Sequence, residues 1–130
     1  MNRRLLMQRL AAPLWLAGSA APAVAQTWPA RAVRVLEPNA PGSATDATLR
    51  ALAVAMQATW AQPVVVDNRP GASGNIVLEA LLAAPADGYT LAHATNNMFT
   101  ANPHLMGTMR PSPLGDVVVA APLSNVGLVL

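Results

Sequence analysis

The chain of 130 residues contains no cysteine and no lysine, and it has only two histidines. Without cysteine it forms no disulfide and carries no lipid on an N-terminal cysteine, so packing alone must hold it together. The lack of lysine excludes a P-loop for nucleotide phosphates, because that motif requires one. With few acidic residues near them, His93 and His104 indicate neither a metal site nor a catalytic triad. We therefore interpret them as strand-end or loop histidines, and we expect no cofactor and no bound metal.

Length and charge exclude two further classes of protein. A chain of this length forms about one domain, which excludes a large multidomain enzyme. Three of the eight arginines lie among the first nine positions, and residues 26–130 carry five arginines against six carboxylates. These five arginines are scattered, so there is no basic stripe for binding a phosphate backbone. Nucleic acid is not expected as a partner.

The N-terminal segment, residues 1–25, has the three-part layout of a secretory signal peptide. Arginines at positions 3, 4 and 9 precede an apolar stretch and the small-residue cleavage motif Ala23-Val24-Ala25. Pro13 and Pro22 bracket an apolar core of about half the length that a membrane-spanning helix needs, which argues against an anchor. We expect cleavage after Ala25 and an exported protein, which leaves the cytoplasm by either the general or the twin-arginine route.

The rest of the chain alternates strand and helix patterns. In the segment 45–62, Leu49, Ala53 and Trp60 share one helical face, and Ser43-x-x-Asp46 before it resembles a capping box with Asp in place of Glu. Short β-branched runs that end at proline or polar turns indicate strands. The alternation predicts an α/β fold, a parallel sheet flanked by helices. The predicted strands are 32–37, 64–66 and 89–94, and the predicted helices are 45–62 and 75–84.

The last residues, 125–130, begin another apolar strand. Three or four parallel strands bury little core on their own. We therefore expect residues 26–130 to be the N-terminal part of a larger protein.

Two polar loops, residues 40–46 and 95–102, follow predicted strands. Ligands of open parallel sheets bind at this end of the strands. The first loop opens a helix, whose backbone N–H groups and dipole suit a carboxylate, and the second is rich in Thr and Asn donors. Ordinary helix capping and turn chemistry explain the same residues equally well, so these patterns alone leave ligand binding open.

Three motifs occur in order along the chain: Val33-Arg-Val-Leu-Glu-Pro38-Asn-Ala-Pro-Gly42-Ser-Ala-Thr-Asp46, then Gln62-Pro-Val-Val-Val-Asp-Asn-Arg-Pro-Gly-Ala-Ser-Gly-Asn75, then Ala86-Asp-Gly-Tyr-Thr-Leu91. Together they resemble the Bug receptors, the TctC-type extracytoplasmic solute-binding proteins of tripartite tricarboxylate transporters. The resemblance covers essentially the whole chain after residue 25. It implies a two-lobed, hinged periplasmic binding-protein fold more than twice this length, with small carboxylates bound between the lobes. Residues 26–130 then correspond to a partial N-terminal lobe.

The resemblance also implies that main-chain N–H groups and ordered waters of the two polar loops hold the carboxylate. The implied ligand-binding residues are Ala40, Pro41, Gly42, Ser43, Ala44, Asp46, Thr95, Asn96, Thr100 and Asn102. The chain departs from the family pattern at Glu37, Asn39 and Ser43, where an apolar residue, an aromatic residue and a glycine are usual. The charge of Glu37 disfavours a carboxylate ligand nearby unless its side chain points away.

These features predict a non-catalytic periplasmic receptor for a small carboxylate, which works with the membrane components of a tripartite transporter. One alternative is a truncated remnant that binds nothing. A less favoured alternative is a hydrolase or transferase on a similar α/β scaffold. The stretch Gly71-Ala72-Ser73-Gly74 does not make a nucleophile elbow, since position 75 is Asn where that motif needs Gly.

The signal peptide is directly testable. Mass spectrometry of exported material should show an N-terminus at Gln26, either free or cyclised to pyroglutamate, because cleavage follows the small residue Ala25. Periplasmic protein that still carries Met1 would refute this assignment.

Overall fold

The computed structural model describes residues 27–105 and 115–124 of the chain. The expected signal peptide at 1–25 and the strand expected at 125–130 lie outside these residues. Each boundary of a predicted element falls within two residues of its observed position. None of the helices in the described ranges is long and apolar enough to cross a lipid bilayer. The strands are β1 (Val33–Glu37), β2 (Val64–Asn68) and β3 (Thr90–Ala92), and the helices are α1 (Ala44–Trp60), α2 (Asn75–Leu82), α3 (Asn96–Thr100) and α4 (Asn102–Leu105).

The three strands form one parallel sheet with β1 in the centre, in the order β2-β1-β3. This confirms the predicted α/β class. The register places Glu37 beside Asn68 and Leu36 beside Ala92, and the N–H of His93 continues the ladder to the carbonyl of Leu36 at 2.8 Å. Because the strands all run the same way, Glu37, Asn68 and His93 lie side by side at one edge, which we call the carboxyl edge of the sheet.

Helix α1 is closed by a hydrogen bond at each end. Ser43 is extended at the N-cap, and its hydroxyl accepts a hydrogen bond from the N–H of Asp46, as predicted for a capping box. The carboxylate of Asp46 reaches one residue further back than expected, to the N–H of Gly42. At the other end Ala61 adopts the left-handed conformation and its N–H bonds the carbonyl of Gln57 at 3.0 Å. The helix packs along β2.

The core on the other side of the sheet is formed by β1, α2 and α3. Leu36 packs with Val77, Leu78 and Met98 in a cluster from which water is almost fully excluded. Burial of apolar surface by each of these side chains stabilises the fold by about 1.5–3 kcal/mol. This cluster fixes the position of α3, and hence of the second polar loop, relative to β1.

The turn before α2 approaches this core closely. Residues Ala72–Gly74 form a single 3₁₀ turn in which Ser73 and Gly74 both have positive φ. The Nδ2 of Asn102 donates to the carbonyl of Ser73 at 2.9 Å, which ties α4 to the turn. A Cβ added to Gly74 would lie 2.7 Å from the sulfur of Met98. Glycine is therefore required here for both its conformation and its size.

Two glycine substitutions separate these effects. Gly42 and Gly74 have similar φ, 84° and 92°, but a Cβ on Gly42 would meet no heavy atom within 4 Å. Both Gly42→Ala and Gly74→Ala incur the left-handed strain, about 1–2 kcal/mol. Gly74→Ala also crowds the buried Met98, which should lower the free energy of unfolding by about 1–3 kcal/mol more. Urea unfolding should show a larger loss of unfolding free energy for Gly74→Ala than for Gly42→Ala. Equal losses in the two variants would mean that Met98 repacks freely.

Candidate functional site

The loop between β1 and α1, residues 40–46, satisfies several of its own backbone groups. The N–H of Ser43 donates to the carbonyl of Ala40 at 3.2 Å, and the N–H of Gly42 donates to the Asp46 carboxylate at 2.9 Å. The N–H of Asp46 donates to the hydroxyl of Ser43 at 3.2 Å. The N–H of Gly42, a predicted ligand contact, is therefore already bonded within the protein.

Two N–H groups of this loop stay available. Ala44 and Thr45 are the first two residues of α1, and their N–H groups have no acceptor among the residues that the structure describes. Such groups are expected in the first turn of a helix, which has no preceding turn to accept from them. Ala44 is exposed and Thr45 is half-buried, while Ala40 and Pro41 are exposed beside them.

Asp46 is buried beneath the loop and holds it in place. Its carboxylate accepts hydrogen bonds of 2.9 Å from the N–H of Gly42, from Nε of Arg50 and from Nδ2 of Asn68. The hydrogen bond from Arg50, followed by those from Gly42 and Asn68, lowers the pKa of Asp46 far below its usual value. The side chain thus supports the loop, and its direct contact with a ligand stays a prediction.

Glu37, the last residue of β1, is fully buried and surrounded by donors. Its Oε1 accepts from the N–H of Asn39 at 3.2 Å, from Nδ2 of Asn39 at 2.8 Å and from the hydroxyl of Thr45 at 3.1 Å. Its Oε2 lies 2.7 Å from Nδ1 of His93. The carboxylate that we expected near the anion site is therefore directed at protein groups and away from solvent.

Asn68, at the end of β2, joins the Glu37 and Asp46 clusters. Its Nδ2 donates to the carbonyl of Asn39 at 3.0 Å and to Asp46, and its Oδ1 accepts from Arg50 at 2.8 Å. Ser43 enters the same network through its hydroxyl, which lies 3.1 Å from that of Thr45. The three residues that depart from the family pattern, Glu37, Asn39 and Ser43, thus belong to one hydrogen-bonded network.

The second polar loop, residues 95–102, contains α3 and the start of α4. The N–H of Thr95 is directed at the sulfur of Met98 at 3.4 Å, and the hydroxyl of Thr100 donates to the carbonyl of Asn96 at 3.0 Å. Asn102 is buried and bonds to Ser73 and Asn75. Of the four predicted ligand contacts in this loop, the side chain of Asn96 is exposed, whereas those of Thr100 and Asn102 bond to protein atoms.

The Glu37–His93 pair connects the two loops, a link that sequence reasoning missed. Glu37 bonds Thr45 in α1, and His93 precedes Thr95 by two residues. The interpretation of His93 as a strand-end histidine is confirmed, but its partner Glu37 was not identified. The signal available in the sequence was a charged residue at the end of a buried strand, which needs a partner. No group of three or more potential metal ligands occurs among residues 27–105 and 115–124.

A wide cleft of about 550 Å³ lies at the opposite edge of the sheet. It is lined by residues 27–30 and 59–62, with Trp28 packed edge-on against Trp60 at 5.0 Å between ring centroids. The C-terminal end of α1 reaches this cleft, and its carbonyl groups place partial negative charge there. The cleft is therefore poorly suited to a carboxylate, in contrast to the N-terminal end of the same helix.

Comparison with known proteins identifies the family. The model of the tripartite tricarboxylate transporter family receptor, TctC, matches residues 48–130. The chain belongs to this family. It is 37% identical to protein BugT of Bordetella pertussis over 131 residues, which cover all of this chain and 40% of BugT. It is 36% identical to a UPF0065 protein of Bordetella bronchiseptica over 121 residues, covering 93% of this chain and 36% of that protein.

Solved structures of TctC and periplasmic proteins share the fold. A TctC solute-binding protein from Polaromonas matches with a TM-score of 0.60 at 31% identity, covering 66% of this chain and 29% of that protein. Rpa4515 of R. palustris, solved with adipate, matches with a TM-score of 0.53 at 38% identity. The match covers 55% of this chain and 24% of Rpa4515. The TctC family consists of solute-binding receptors of the periplasm. The chain spans about two-fifths of the length of the curated relatives it matches.

The role of Asp46 in supporting the loop is testable through acid unfolding. Because the fold lowers its pKa, its stabilising contribution is present above the unfolded value of about 3.9 and is lost as the pH falls through the folded value. Asp46→Asn should lower the urea midpoint at pH 7 and make the loss of stability below about pH 4 shallower.

Asp87→Asn is the matched control, since Asp87 pairs with Arg31 at the surface. It should change the midpoint little. Equal effects of the two variants would show that the Asp46 network does not support the loop.

Proposed function

We propose that this chain is part of a periplasmic receptor that binds a small organic carboxylate at the carboxyl edge of the sheet. The receptor passes the solute, chemically unchanged, to the membrane components of a tripartite transporter. Family membership supports the proposal, as does the R. palustris relative solved with adipate. In this proposal residues 1–25 are removed as a signal peptide during export.

The observation that carries the proposal is the pair of N–H groups at the start of α1. The N–H groups of Ala44 and Thr45 are free of protein acceptors among the described residues, and they begin a helix of 17 residues. The dipole of such a helix adds partial positive charge at this end, so both groups favour an anion. Hydrogen bonds from N–H groups to a carboxylate are stronger than those between neutral groups.

The loop around these donors has room for a ligand. Gly42 is exposed, and a side chain placed on it would meet no heavy atom within 4 Å. A ligand is therefore able to approach the main chain between Ala40 and Ala44 from solvent. In the second loop, Asn96 is exposed and Thr95 is half-buried, and the proposal assigns further polar contacts with the ligand to both.

The donors are held in place before any ligand arrives. Asp46 and Asn68 anchor the loop from below, and Glu37 bonds the hydroxyl of Thr45. A loop that is already ordered loses little conformational entropy when it binds, which raises affinity. The network at the carboxyl edge is thus consistent with a binding site that needs no rearrangement within this lobe.

Ala44→Pro removes one of the two donors and leaves the helix intact. Proline is well tolerated at the first helical position, and Ser43 already has the extended conformation, φ −66° and ψ 161°, that precedes a proline. Loss of one charge-assisted hydrogen bond, worth about 1.5–3 kcal/mol, should weaken binding by about tenfold or more. NMR shift titrations with adipate, succinate and citrate measure this, because they follow binding as weak as the millimolar range expected for one lobe.

Ala44→Ser keeps the N–H group and should bind like the unmodified protein. Equal binding by the Pro and Ser variants would place the carboxylate elsewhere. If none of the three carboxylates binds, either to the chain or to a folded chimera in which residues 26–130 replace the matching segment of BugT, the proposed function is wrong.

A further inference from the structure

A buried glutamate and a histidine form a pair at the carboxyl edge, beside the proposed ligand donors. Glu37 ends β1 and His93 follows β3, and the parallel register places them on adjacent strands. The Glu37 side chain is fully buried and that of His93 is 13% exposed, with 2.7 Å between Oε2 and Nδ1. Through the other carboxylate oxygen Glu37 also bonds Thr45, whose N–H is one of the proposed donors.

His93 is the group best placed to balance the charge of Glu37. The remaining donors to this carboxylate, from Asn39 and Thr45, are neutral. Within the described ranges, the charged groups on neighbouring elements are engaged with each other or face solvent. Asp46 pairs with Arg50 on α1, Asp67 pairs with Arg69 and lies near Arg34 at the β1–β2 side of the sheet, and Glu79 on α2 and His104 on α4 are exposed.

The second ring nitrogen of His93 is accessible. Nε2 has no hydrogen-bond partner among the described residues, and no side-chain nitrogen or oxygen there is both buried and without a partner. The His93 side chain is 13% exposed, and Nδ1 faces the buried carboxylate, so we infer that solvent reaches the ring at Nε2. The ring therefore has one nitrogen held by a buried carboxylate and the other free to meet a solute.

The number of protons on the pair determines what Nε2 offers. A separation of 2.7 Å requires a hydrogen between Nδ1 and Oε2. With only that proton, the pair carries one negative charge and Nε2 presents a lone pair, which repels a carboxylate. With a second proton the pair is neutral overall and Nε2 carries an N–H that donates to a carboxylate.

We propose that His93 Nε2 donates a hydrogen bond to the solute carboxylate, and that binding takes up one proton onto the Glu37–His93 pair. The inference rests on the proposed function, since it adds a side-chain donor to the main-chain donors of α1. It makes the affinity for a carboxylate depend on pH. Affinity therefore falls as the pair loses its second proton, until only the main-chain donors of α1 hold the carboxylate.

NMR of the ¹⁵N-labelled chain tests this with adipate, succinate and citrate as probes. The protein has two histidines, and the exposed His104 serves as an internal control. A bound carboxylate should move the titration of the His93 ring to higher pH, because proton and ligand binding reinforce each other. The titration of His104 should not move, and of two pH values at which the probe is fully ionised, the higher should give the larger dissociation constant.

His93→Gln supplies an amide that does not titrate, so the remaining affinity should be nearly independent of pH. His104→Gln should retain the dependence of the unmodified chain. If the probes shift the signals of Ala44 and Thr45 equally at both pH values and leave His93 unchanged, the proposed function stands and this inference is wrong. If no probe binds at either pH, the proposed function fails and this inference with it. The titration of the unmodified chain decides the matter even if His93→Gln does not fold.

Discussion

A carboxylate buried at the end of a central strand must be surrounded by donors, because an unpaired buried charge is strongly destabilising. Glu37 obtains its donors from three separate parts of the chain: Asn39 in the loop after β1, Thr45 in α1 and His93 after β3. If these segments moved apart, the buried carboxylate of Glu37 would lose its hydrogen-bond donors. The relative positions of the two polar loops, and hence the shape of the candidate site, depend on this side chain together with the apolar cluster around Leu36.

A second carboxylate determines which backbone groups are left for a ligand. Asp46 takes the N–H of Gly42 and bonds Arg50 and Asn68, so it supports the loop from inside. The residues with available N–H groups are then Ala44 and Thr45, at the start of α1. Because the loop meets its internal hydrogen-bonding requirements, its shape does not depend on the ligand, and the N–H groups that face outward are the ones that a helix cannot satisfy by itself.

The direction of α1 distinguishes the two edges of the sheet. Its N-terminal end lies at the carboxyl edge and adds partial positive charge near the free N–H groups, whereas its C-terminal end lies at the cleft beside Trp28 and Trp60. The cleft has a volume of about 550 Å³, but the dipole of α1 opposes an anion there. The dipole of α1 therefore favours an anion at the carboxyl edge over the cleft, in agreement with the proposed function.

The order of strands and helices was predictable from the sequence, because hydrophobic periodicity and breaks at proline and glycine are local properties of the chain. The family was recognisable for the same reason, since its motifs are continuous stretches such as residues 62–75. The partners of Glu37 and Asp46 were not predictable. His93 is 56 positions from Glu37, and Asn68 is 22 positions from Asp46. These pairs meet only because the strand order β2-β1-β3 and its register place the ends of all three strands together. The sequence by itself thus determined the elements and the loops that join them. The tertiary structure decided which of their polar groups are bonded within the protein and which have no protein partner among the described residues, because register is a property of strands that are distant in the chain.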